Sequence, residues 1–387
     1  MGRVKDEWID AQVRGWVAPE RSVCAACVDD AHLKGLIERS SDARKCHYCG
    51  TEFTEPEAAP VDVIMPGVMG ALLHRYAEPA GAGVPYESQE GGYLVELTDT
   101  EDALLSLPFE CNDELFQDVV AGIAHINDSW VPAGGGHWAT AQESDELTWA
   151  WNSFVEEVTH RRRYFFGQGQ DDHRPPSFPG ALSKVATVLD LVTTIPPDTA
   201  LFRVRVRKAG DTWCVCDEQM SAPPSGFALA GRMNPAGISY LYLALDEQTA
   251  IRDVVRRSPC QFAVAQFRAT SPLQVLDLSV VPPLPSPFDH GRLMERDLIE
   301  FLRGFRDDIG KPVEKDGREH VDYVPSQIVC EYFSTVFRRD DPIDGILYSS
   351  SVREGGKNLV LFPRAAYPGP VEWPVEFIDG KFLERIP

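Results

Sequence analysis

Residues 231–253, with the sequence GRMNPAGISYLYLALDEQTAIRD, carry the pattern that decides the fold of the second half of the chain. The segment opens with a turn-forming cluster, GRMNPAG, that contains one permanent cation, Arg232. Its two glycines can adopt backbone angles that are closed to other residues, and Pro235 stiffens the loop between them. The sequence therefore predicts a tight turn that presents a cation.

A strand and a helix are expected directly after this turn. Residues 238–245 are apolar and aromatic, which predicts a strand with Tyr240 and Tyr242 on one face. Asp246 is a typical N-cap, and residues 247–255 predict a short helix. Local chain geometry thus brings together a cation, an aromatic ring and a helix-borne carboxylate. That combination suits an anionic ligand with a flat ring and a sugar.

This stretch resembles the RES domain, the toxin half of RES–Xre toxin–antitoxin systems. The family pattern is Gly-Arg-aromatic-Asn-Pro-x-Gly, a Leu-Tyr-Leu-Ala strand and an acidic residue eleven positions after the tyrosine, which here is Asp253. Met233 stands where the family has an aromatic residue, and Asp253 where it usually has Glu. A second block also matches, DGILYSSS at 344–351 followed by GGKNLVLF at 355–362. The resemblance begins at about Thr199, and several shared spacings in one order make it fairly specific.

The resemblance implies an ADP-ribosyltransferase-like fold of short mixed strands, with NAD+ as the substrate, cleaved at its nicotinamide–ribose bond. The pattern of strands and helices alone predicts only an α+β fold. Cleavage of an N-glycosidic bond builds positive charge on the ribose, which a nearby carboxylate stabilises. An arginine suits the pyrophosphate because of its fixed donors, and an aromatic ring suits the cationic nicotinamide.

The residues that the resemblance assigns to catalysis are Arg232, Tyr242, Asp253 and Ser350. Further NAD+-binding residues are expected to be Arg203, Asn234, Tyr240 and Ser351. Arg203 belongs to the strand predicted at 201–207, LFRVRVR. Because aspartate is one methylene shorter than glutamate, and about 1 Å of misplacement can cost on the order of 100-fold in rate, the strength of catalysis depends on how Asp253 is held.

The family relationship implies an NAD+-degrading, toxin-like enzyme, either a glycohydrolase that uses water or a phosphorylase that uses phosphate. Depletion of NAD+ would cause growth arrest or serve an abortive bacterial defence. Two alternatives stay open. One is an ADP-ribosyltransferase that modifies a macromolecule with the same site. The other is a non-catalytic protein that binds or senses a nucleotide, which the aspartate at 253 favours.

The N-terminal segment carries two CxxC pairs, Cys24 with Cys27 and Cys46 with Cys49, separated by eighteen residues. This spacing is typical of a four-cysteine zinc site, whose closed tetrahedral shell makes it structural and not catalytic. A redox dithiol or two disulfides are the less favoured alternatives. A short helix is predicted between the pairs, over residues 30–39.

The middle region predicts helices, with apolar residues at helical spacing in 62–76, 112–126, 143–163 and 178–195. It resembles the HEPN-type domain that precedes RES in longer family members, on the pattern VTHRRRYFF and its place in the chain. HEPN ribonucleases need an Arg followed four to six residues later by His, and this region has no such pair. A structural, interaction or sensing role is therefore expected.

The 387 residues are expected to divide into a zinc module at 1–55, a HEPN-like helical domain at 56–195 and a RES domain at 196–387. The net charge of −22 argues against a nucleic-acid-binding surface. No signal-peptide or membrane-spanning run is apparent, so the cytoplasm is the expected compartment. The expected partners are NAD+, an antitoxin or immunity protein and a second copy of the chain; neither nucleic acid nor a membrane is expected.

Overall fold

The computed structural model describes residues 2–88, 91–133, 143–164, 178–208, 210–255, 260–310, 319–365 and 371–385. The chain forms two compact units. The first comprises Met1–Glu146 and Pro283–Glu300, and the second comprises Leu147–Pro282 and Phe301–Pro387. The N-terminal region is helical and the C-terminal region contains a mixed sheet, so the predicted α+β class is confirmed.

Helices dominate the first unit. They are α1 (Gly2–Arg14), α2 (Ala31–Arg39), α3 (Met65–Arg75), α4 (Thr100–Leu105) and α5 (Asp113–Ala124). Short strands pair two by two: β1 (Ser22–Cys24) with β2 (Ala58–Pro60), β3 (Tyr76–Ala77) with β6 (Val131–Pro132), and β4 (Tyr86–Glu87) with β5 (Gly92–Tyr93). The helices predicted at 30–39, 62–76 and 112–126 are confirmed as α2, α3 and α5.

Polar side chains cap the N-termini of three of these helices, α2, α4 and α5, and Asp99 is the cap of α4. The Asp30 carboxylate accepts hydrogen bonds from two backbone amides of α2, and the Asn112 amide oxygen does the same for α5. Such caps contribute about 1 kcal/mol each. The apolar faces of the helices then build a common core, which includes Leu33, Ile37, Leu72, Leu115, Trp130 and Phe288.

The remaining helices are α6 (Glu143–Glu156), α7 (Phe178–Val188), α8 (Asp217–Met220), α9 (Glu247–Val254), α10 (Leu293–Gly310), α11 (Glu319–Asp322) and α12 (Val324–Thr335). The helix predicted over 178–195 is wrong at its end, because α7 stops at Val188 and a strand follows. Asp190 has φ of 49°, a left-handed conformation that ends the helix. The β-branched run VTTI then favours a strand.

Among the described residues, one eight-stranded sheet forms the second unit's centre, in the order β16-β10-β8-β9-β13-β12-β11-β7. The strands are β7 (Val192–Ile195), β8 (Ala200–Arg207), β9 (Leu241–Ala244), β10 (Cys260–Ala269), β11 (Leu273–Asp277), β12 (Gly345–Ser349), β13 (Lys357–Leu361) and β16 (Val375–Arg385). Only the β11–β12 pair is parallel among these neighbours. Outside the sheet, β14 (Arg364–Ala365) pairs with β15 (Val371–Glu372). The C-terminal strand β16 lies at one edge of the sheet.

The register of three neighbouring strands determines which side chains meet near residues 231–253 and 344–362. Asn358 of β13 pairs with Ala244 of β9 on one side and with Tyr348 of β12 on the other. Tyr242 of β9 pairs with Val360. The turn before β9, the helix after it and the loop after β12 therefore extend from adjacent strands of one sheet.

Gly345 provides a test of this strand packing. A Cβ at this position would lie 2.1 Å from the carbonyl oxygen of Val360 in the neighbouring strand, so the backbone would have to shift. We expect Gly345→Ala to lower the free energy of unfolding by about 1–3 kcal/mol, the usual cost of overpacking, as measured by urea titration. Gly304→Ala is the control, since a Cβ there meets open space on an exposed part of α10 and should stabilise the helix by up to about 1 kcal/mol. Equal midpoints for the two variants would contradict the described packing.

Candidate functional site

The turn that carries Arg232 is held by its own Asn234 and by Tyr242 of β9. Asn234 is buried, and its Nδ2 donates hydrogen bonds to the backbone carbonyls of Leu229, Pro235 and Ile238. The Tyr242 hydroxyl donates to Asn234 Oδ1 at 2.7 Å and accepts from the backbone N of Met233 at 3.1 Å. Gly231 is required here because a Cβ would lie 2.7 Å from that hydroxyl.

The first turn of α12 holds the same loop from the other side. Gln327 Nε2 donates to the carbonyl oxygen of Gly231 at 2.7 Å and to that of Asn234 at 3.0 Å. Ser326 Oγ donates to the carbonyl oxygen of Arg232 at 2.5 Å. These hydrogen bonds satisfy backbone acceptors in the interior, where an unpaired carbonyl would cost stability. The position of Arg232 is thereby fixed by residues nearly a hundred positions away.

Asp253 lies in α9 with each carboxylate oxygen hydrogen-bonded. Ser350 Oγ, in the loop after β12, donates to Asp253 Oδ1 at 2.8 Å. Asn358 Nδ2, in β13, donates to Asp253 Oδ2. Hydrogen bonds to a carboxylate are strong because its charge assists them. The shorter aspartate side chain is therefore held in one orientation by two neutral donors.

A further contact anchors the loop at residues 350–356, called the serine loop, to α9. Asp246 caps the helix, accepting from the backbone N of Thr249 at 2.9 Å, which confirms the predicted N-cap and helix. Arg353, from the serine loop, donates to Asp246 Oδ2 and to Thr249 Oγ1, each at 2.7 Å. The loop that carries Ser350 is thus tied to the helix that carries Asp253.

The charges of Asp253 and of Arg232 both influence the buried hydroxyl of Tyr348. Burial raises the pKa of its hydroxyl, the negative charge of Asp253 raises it further, and the positive charge of Arg232 opposes that change. Both charges therefore act on one side chain. Tyr348 also lines a cavity of about 310 Å³ together with Arg306, Asp307, Ile309, Gly310, Ser349, Ser350 and Ser351. A cavity of this size is at the lower end of those that bind small molecules, about 300–1,000 Å³.

Arg232 reaches the end of α10. Its Nη1 donates to the carbonyl oxygen of Ile309. Arg232 also lines a second cavity, of about 290 Å³, to which Ile309 contributes as well. The Arg232 guanidinium thus contacts Ile309, a residue that lines both cavities.

Arg203 differs from the two other arginines of β8. The Arg205 guanidinium lies 4.8 Å from the ring centre of Trp213, and that of Arg207 lies 4.9 Å from the ring centre of Phe382. Nη1 of Arg203 is buried and has no hydrogen-bond partner among the described residues. Burial, with a smaller effect of Arg205, lowers the pKa of Arg203 to about 10. A buried, unpaired donor on a charged group costs stability unless an anion satisfies it.

The other predicted residues are divided between the site and the interior. Ser350 and Ser351 line the first cavity, and Ser351 is exposed. Tyr240 is buried, precedes β9 and packs against Phe362 with ring centres 5.2 Å apart. The strand predicted from residue 238 is therefore too long, because it begins at Leu241.

Three residues with clear roles at the site were not predicted: Tyr348, Gln327 and Asn358. Tyr348 and Asn358 lie inside segments that match a family motif, but nothing in the sequence shows which partner any of the three contacts. Asn358 follows two glycines and a lysine, and only the strand pairing brings it to Asp253. Their roles depend on long-range contacts that spacing does not reveal.

The four cysteines of the two CxxC pairs meet in the first unit. The sulfur atoms of Cys24 and Cys27 are 3.8 Å apart, those of Cys24 and Cys49 are 3.6 Å apart, and those of Cys27 and Cys46 are 3.6 Å apart. All four lie within 4.8 Å of one another, so the cluster could bind a metal ion. Hydrogen bonds with Thr51 lower the pKa of Cys49 to about 6.

Comparison with known proteins gives two family matches. A family described as the RES domain matches residues 200–378, and one described as HEPN/RES N-terminal domain 1 matches residues 39–172. Both resemblances inferred from the sequence motifs are thereby confirmed. No curated protein and no solved structure matches the chain. In the part of the chain that the structure describes, no helix is long and apolar enough to cross a membrane.

Removal of the Tyr242 hydroxyl tests how the turn is held. Tyr242→Phe keeps the ring but leaves Asn234 Oδ1 and the backbone N of Met233 without this partner, so we expect a loss of about 1–3 kcal/mol in the free energy of unfolding, measured by urea titration. Tyr86→Phe is the matched control, because that side chain is exposed. Loss of the same size in both variants would contradict a specific role of the Tyr242 hydroxyl.

Proposed function

The chain belongs to the RES family, in the form that carries an HEPN/RES N-terminal domain, and from this we propose that it is a toxin-like enzyme that cleaves the nicotinamide–ribose bond of NAD+. The observation that carries the proposal is the carboxylate of Asp253, which Ser350 and Asn358 hold by hydrogen bonds. The charge of this carboxylate and the charge of Arg232 both act on the Tyr348 hydroxyl. Asp253 is bonded to Ser350, which lines the first cavity, and Arg232 lines the second. A carboxylate and a cation held in this way suit a substrate with a cationic reacting centre and an anionic linker.

In the proposed reaction, the bond between C1′ of the ribose and the nicotinamide nitrogen breaks, and its electron pair leaves with nicotinamide. The leaving group is neutral, so no general acid is needed. The positive charge that develops on the ribose is stabilised by Asp253. Water or phosphate then forms the new bond to C1′, and a water nucleophile loses its proton to solvent. Ser350 has no adjacent histidine base in the sequence and is assigned to positioning, not to nucleophilic attack.

The two arginines are assigned to the diphosphate. Arg232 is held by its turn, and the diphosphate would replace the Ile309 carbonyl oxygen as its acceptor. Arg203 supports an anionic ligand independently, because its buried Nη1 lacks a partner among the described residues. Arginine offers several fixed donors in a plane, which suits phosphate oxygens.

The aromatic role at nicotinamide involves two tyrosines. The resemblance assigns stacking to Tyr242, whose hydroxyl bonds to the turn. Tyr348 lines the cavity beside Ser350 and feels both Asp253 and Arg232. We therefore propose that Tyr348 is the ring that faces nicotinamide and that Tyr242 organises the turn, while Tyr240 packs in the core against Phe362.

One observation favours a second candidate, a protein that binds the nucleotide without cleaving it. Asp253 is shorter than the glutamate typical of the family, and both of its oxygens already accept hydrogen bonds. A carboxylate held away from C1′ would bind the ribose hydroxyls but stabilise the transition state poorly, since about 1 Å of displacement can cost on the order of 100-fold. The Asp253→Glu variant separates this candidate from the enzyme.

For the cysteine cluster we propose a structural zinc ion. Tetrahedral Zn–S bonds of about 2.3 Å give S–S edges of about 3.8 Å, close to the separations of 3.6 and 3.8 Å between neighbouring sulfurs here. Four thiolates leave no open coordination position, so the ion would stabilise and not catalyse. His47 stays outside this shell in the proposal, because its Nδ1 accepts a hydrogen bond from the backbone N of Ser22.

We extend the proposal to the whole chain as a zinc module at 1–55, a helical domain at 56–195 and the NAD+-cleaving domain at 196–387. Such an enzyme would deplete the cytoplasmic NAD+ pool. Depletion of NAD+ would arrest growth or kill an infected cell as an abortive defence. An activity of this kind requires restraint, for which an antitoxin or immunity protein is the proposed partner.

Nicotinamide release tests the proposed reaction. Purified protein is incubated with NAD+, with and without phosphate, and nicotinamide and the ribosyl product are quantified by chromatography. We expect Arg232→Ala to lower kcat/KM by about 100-fold and Asp253→Asn by about 1,000-fold, since single electrostatic groups contribute factors of this order. Arg252→Ala, an exposed change on the same helix as Asp253, is the control. Absence of nicotinamide from both the wild type and Asp253→Glu would reject the enzyme in favour of the binding protein.

Metal analysis tests the cysteine cluster. Elemental analysis is expected to find one zinc per chain, and Cys46→Ser is expected to lose it and to unfold the first unit at lower temperature. Loss of several kcal/mol corresponds to a fall in Tm on the order of 10 °C for a domain of this size. Cys214→Ser is the control, because this exposed cysteine is not part of the cluster. A metal-free wild type, or a Cys46→Ser variant with full zinc content, would contradict the assignment.

A further inference from the structure

Three of the residues that line the second cavity lie outside the segment that matches the RES domain. Trp151, Asn152 and Val155 of α6 lie on it, and they belong to the segment that matches HEPN/RES N-terminal domain 1. Residues before and at the start of α12, including Tyr323 and Pro325, also line the cavity. All of these residues belong to the second compact unit. The N-terminal match thus contributes a wall to a cavity that contains Arg232.

The walls of this cavity are aromatic and aliphatic, and its rim is polar. Trp151, Val155 and Pro325 provide apolar surface, whereas Asn152 and Asp322 are exposed and can hydrogen-bond a ligand. Trp151 is itself fixed, because its Nε1 donates to Asp308 Oδ2 at 3.1 Å and its ring packs 4.9 Å from that of Phe178. A flat heteroaromatic base with a hydroxylated sugar fits such a combination of surfaces.

We propose that this cavity is the subsite for the adenosine half of the substrate, and that α6 makes the enzyme specific for a dinucleotide. The inference rests on the proposed NAD+ cleavage. The first cavity, beside Ser350 and Tyr348, takes the nicotinamide riboside half. Ile309 lines both cavities, and Arg232, which lines the second, bonds to its carbonyl oxygen. We therefore assign the diphosphate, which joins the two halves, to Arg232.

The charges on the rim determine which dinucleotide fits. Arg232 is the cation among the described lining residues, and it is assigned to the diphosphate. Asp308 and Asp322 place two carboxylates on the same cavity. A carboxylate accepts hydrogen bonds from ribose hydroxyls but repels a 2′-phosphate, because like charges in a partly desolvated site repel strongly. The subsite therefore accepts NAD+ and rejects NADP+.

Filling the cavity tests the subsite. Asn152→Trp adds bulk at an exposed position, where folding is preserved, and Val155→Trp adds it at a half-buried one. Steady-state kinetics with NAD+ and with nicotinamide mononucleotide, which lacks the adenosine half, give the ratio of their KM values. We expect Asn152→Trp to raise the KM for NAD+ relative to the KM for nicotinamide mononucleotide by about tenfold. We also expect it to raise the Kd for ADP-ribose, measured by calorimetry, by about tenfold. Trp149→Ala, exposed on the same helix and outside the cavity, is the control and should change neither quantity.

The outcomes separate the subsite from the proposed reaction. NAD+ cleavage with an unchanged ratio in both tryptophan variants would overturn the subsite and leave the reaction standing. ADP-ribose binding that the variants weaken, without any NAD+ cleavage, would support the subsite and reject the reaction. A wild type that does not bind ADP-ribose would overturn the subsite. For the rim charges, Asp322→Asn is expected to lower the preference for NAD+ over NADP+ in kcat/KM several-fold, and an unchanged preference would contradict the role of Asp322.

Discussion

The candidate site depends on the hydrogen bonds that hold the turn at residues 231–237. A glycine- and proline-containing turn does not by itself fix a long cationic side chain, because its backbone has many accessible conformations. Asn234 uses its amide to satisfy three carbonyls of the turn, Tyr242 closes it onto β9, and Gln327 closes it onto α12. Without these bonds, Arg232 would have no defined position relative to Asp253. Each substrate-binding event would then have to order the guanidinium, whereas a preorganised group avoids that cost.

The second requirement is a carboxylate of defined orientation, which this chain meets with a shorter side chain than its family typically uses. Ser350 and Asn358 come from a loop and a strand, and they bond the two oxygens of Asp253 from different elements. These two hydrogen bonds restrict the rotation of the carboxylate. The hydrogen bonds fix the position of the carboxylate. Its distance from C1′ of a bound nucleotide then determines whether it stabilises the transition state of cleavage or only binds the ribose.

Much of the fold was predictable because it depends on local pattern. The caps at Asp30 and Asp246, the helices they begin and the alternating strand at β8 follow from short-range chemistry. The four cysteines were predictable because metal-ligand spacing is itself a local signal. The errors arose where local signals conflict: a left-handed Asp190 ends α7 early, and Tyr240 belongs to the core and not to the strand. The roles of Tyr348, Gln327, Asn358 and Trp151 depend on contacts between distant segments, which no spacing rule gives.

The most direct test of the account is a crystal structure of the chain with ADP-ribose bound. The diphosphate is expected to contact Arg232 in place of the Ile309 carbonyl oxygen, with Arg203 as its second contact. The ribose that carries C1′ should face Asp253 and Ser350, and the adenine should lie against Trp151. A structure in which ADP-ribose lies elsewhere, with Arg232 still bonded to Ile309 and Asp253 remote from either ribose, would contradict the central claim that these residues form a dinucleotide-cleaving site.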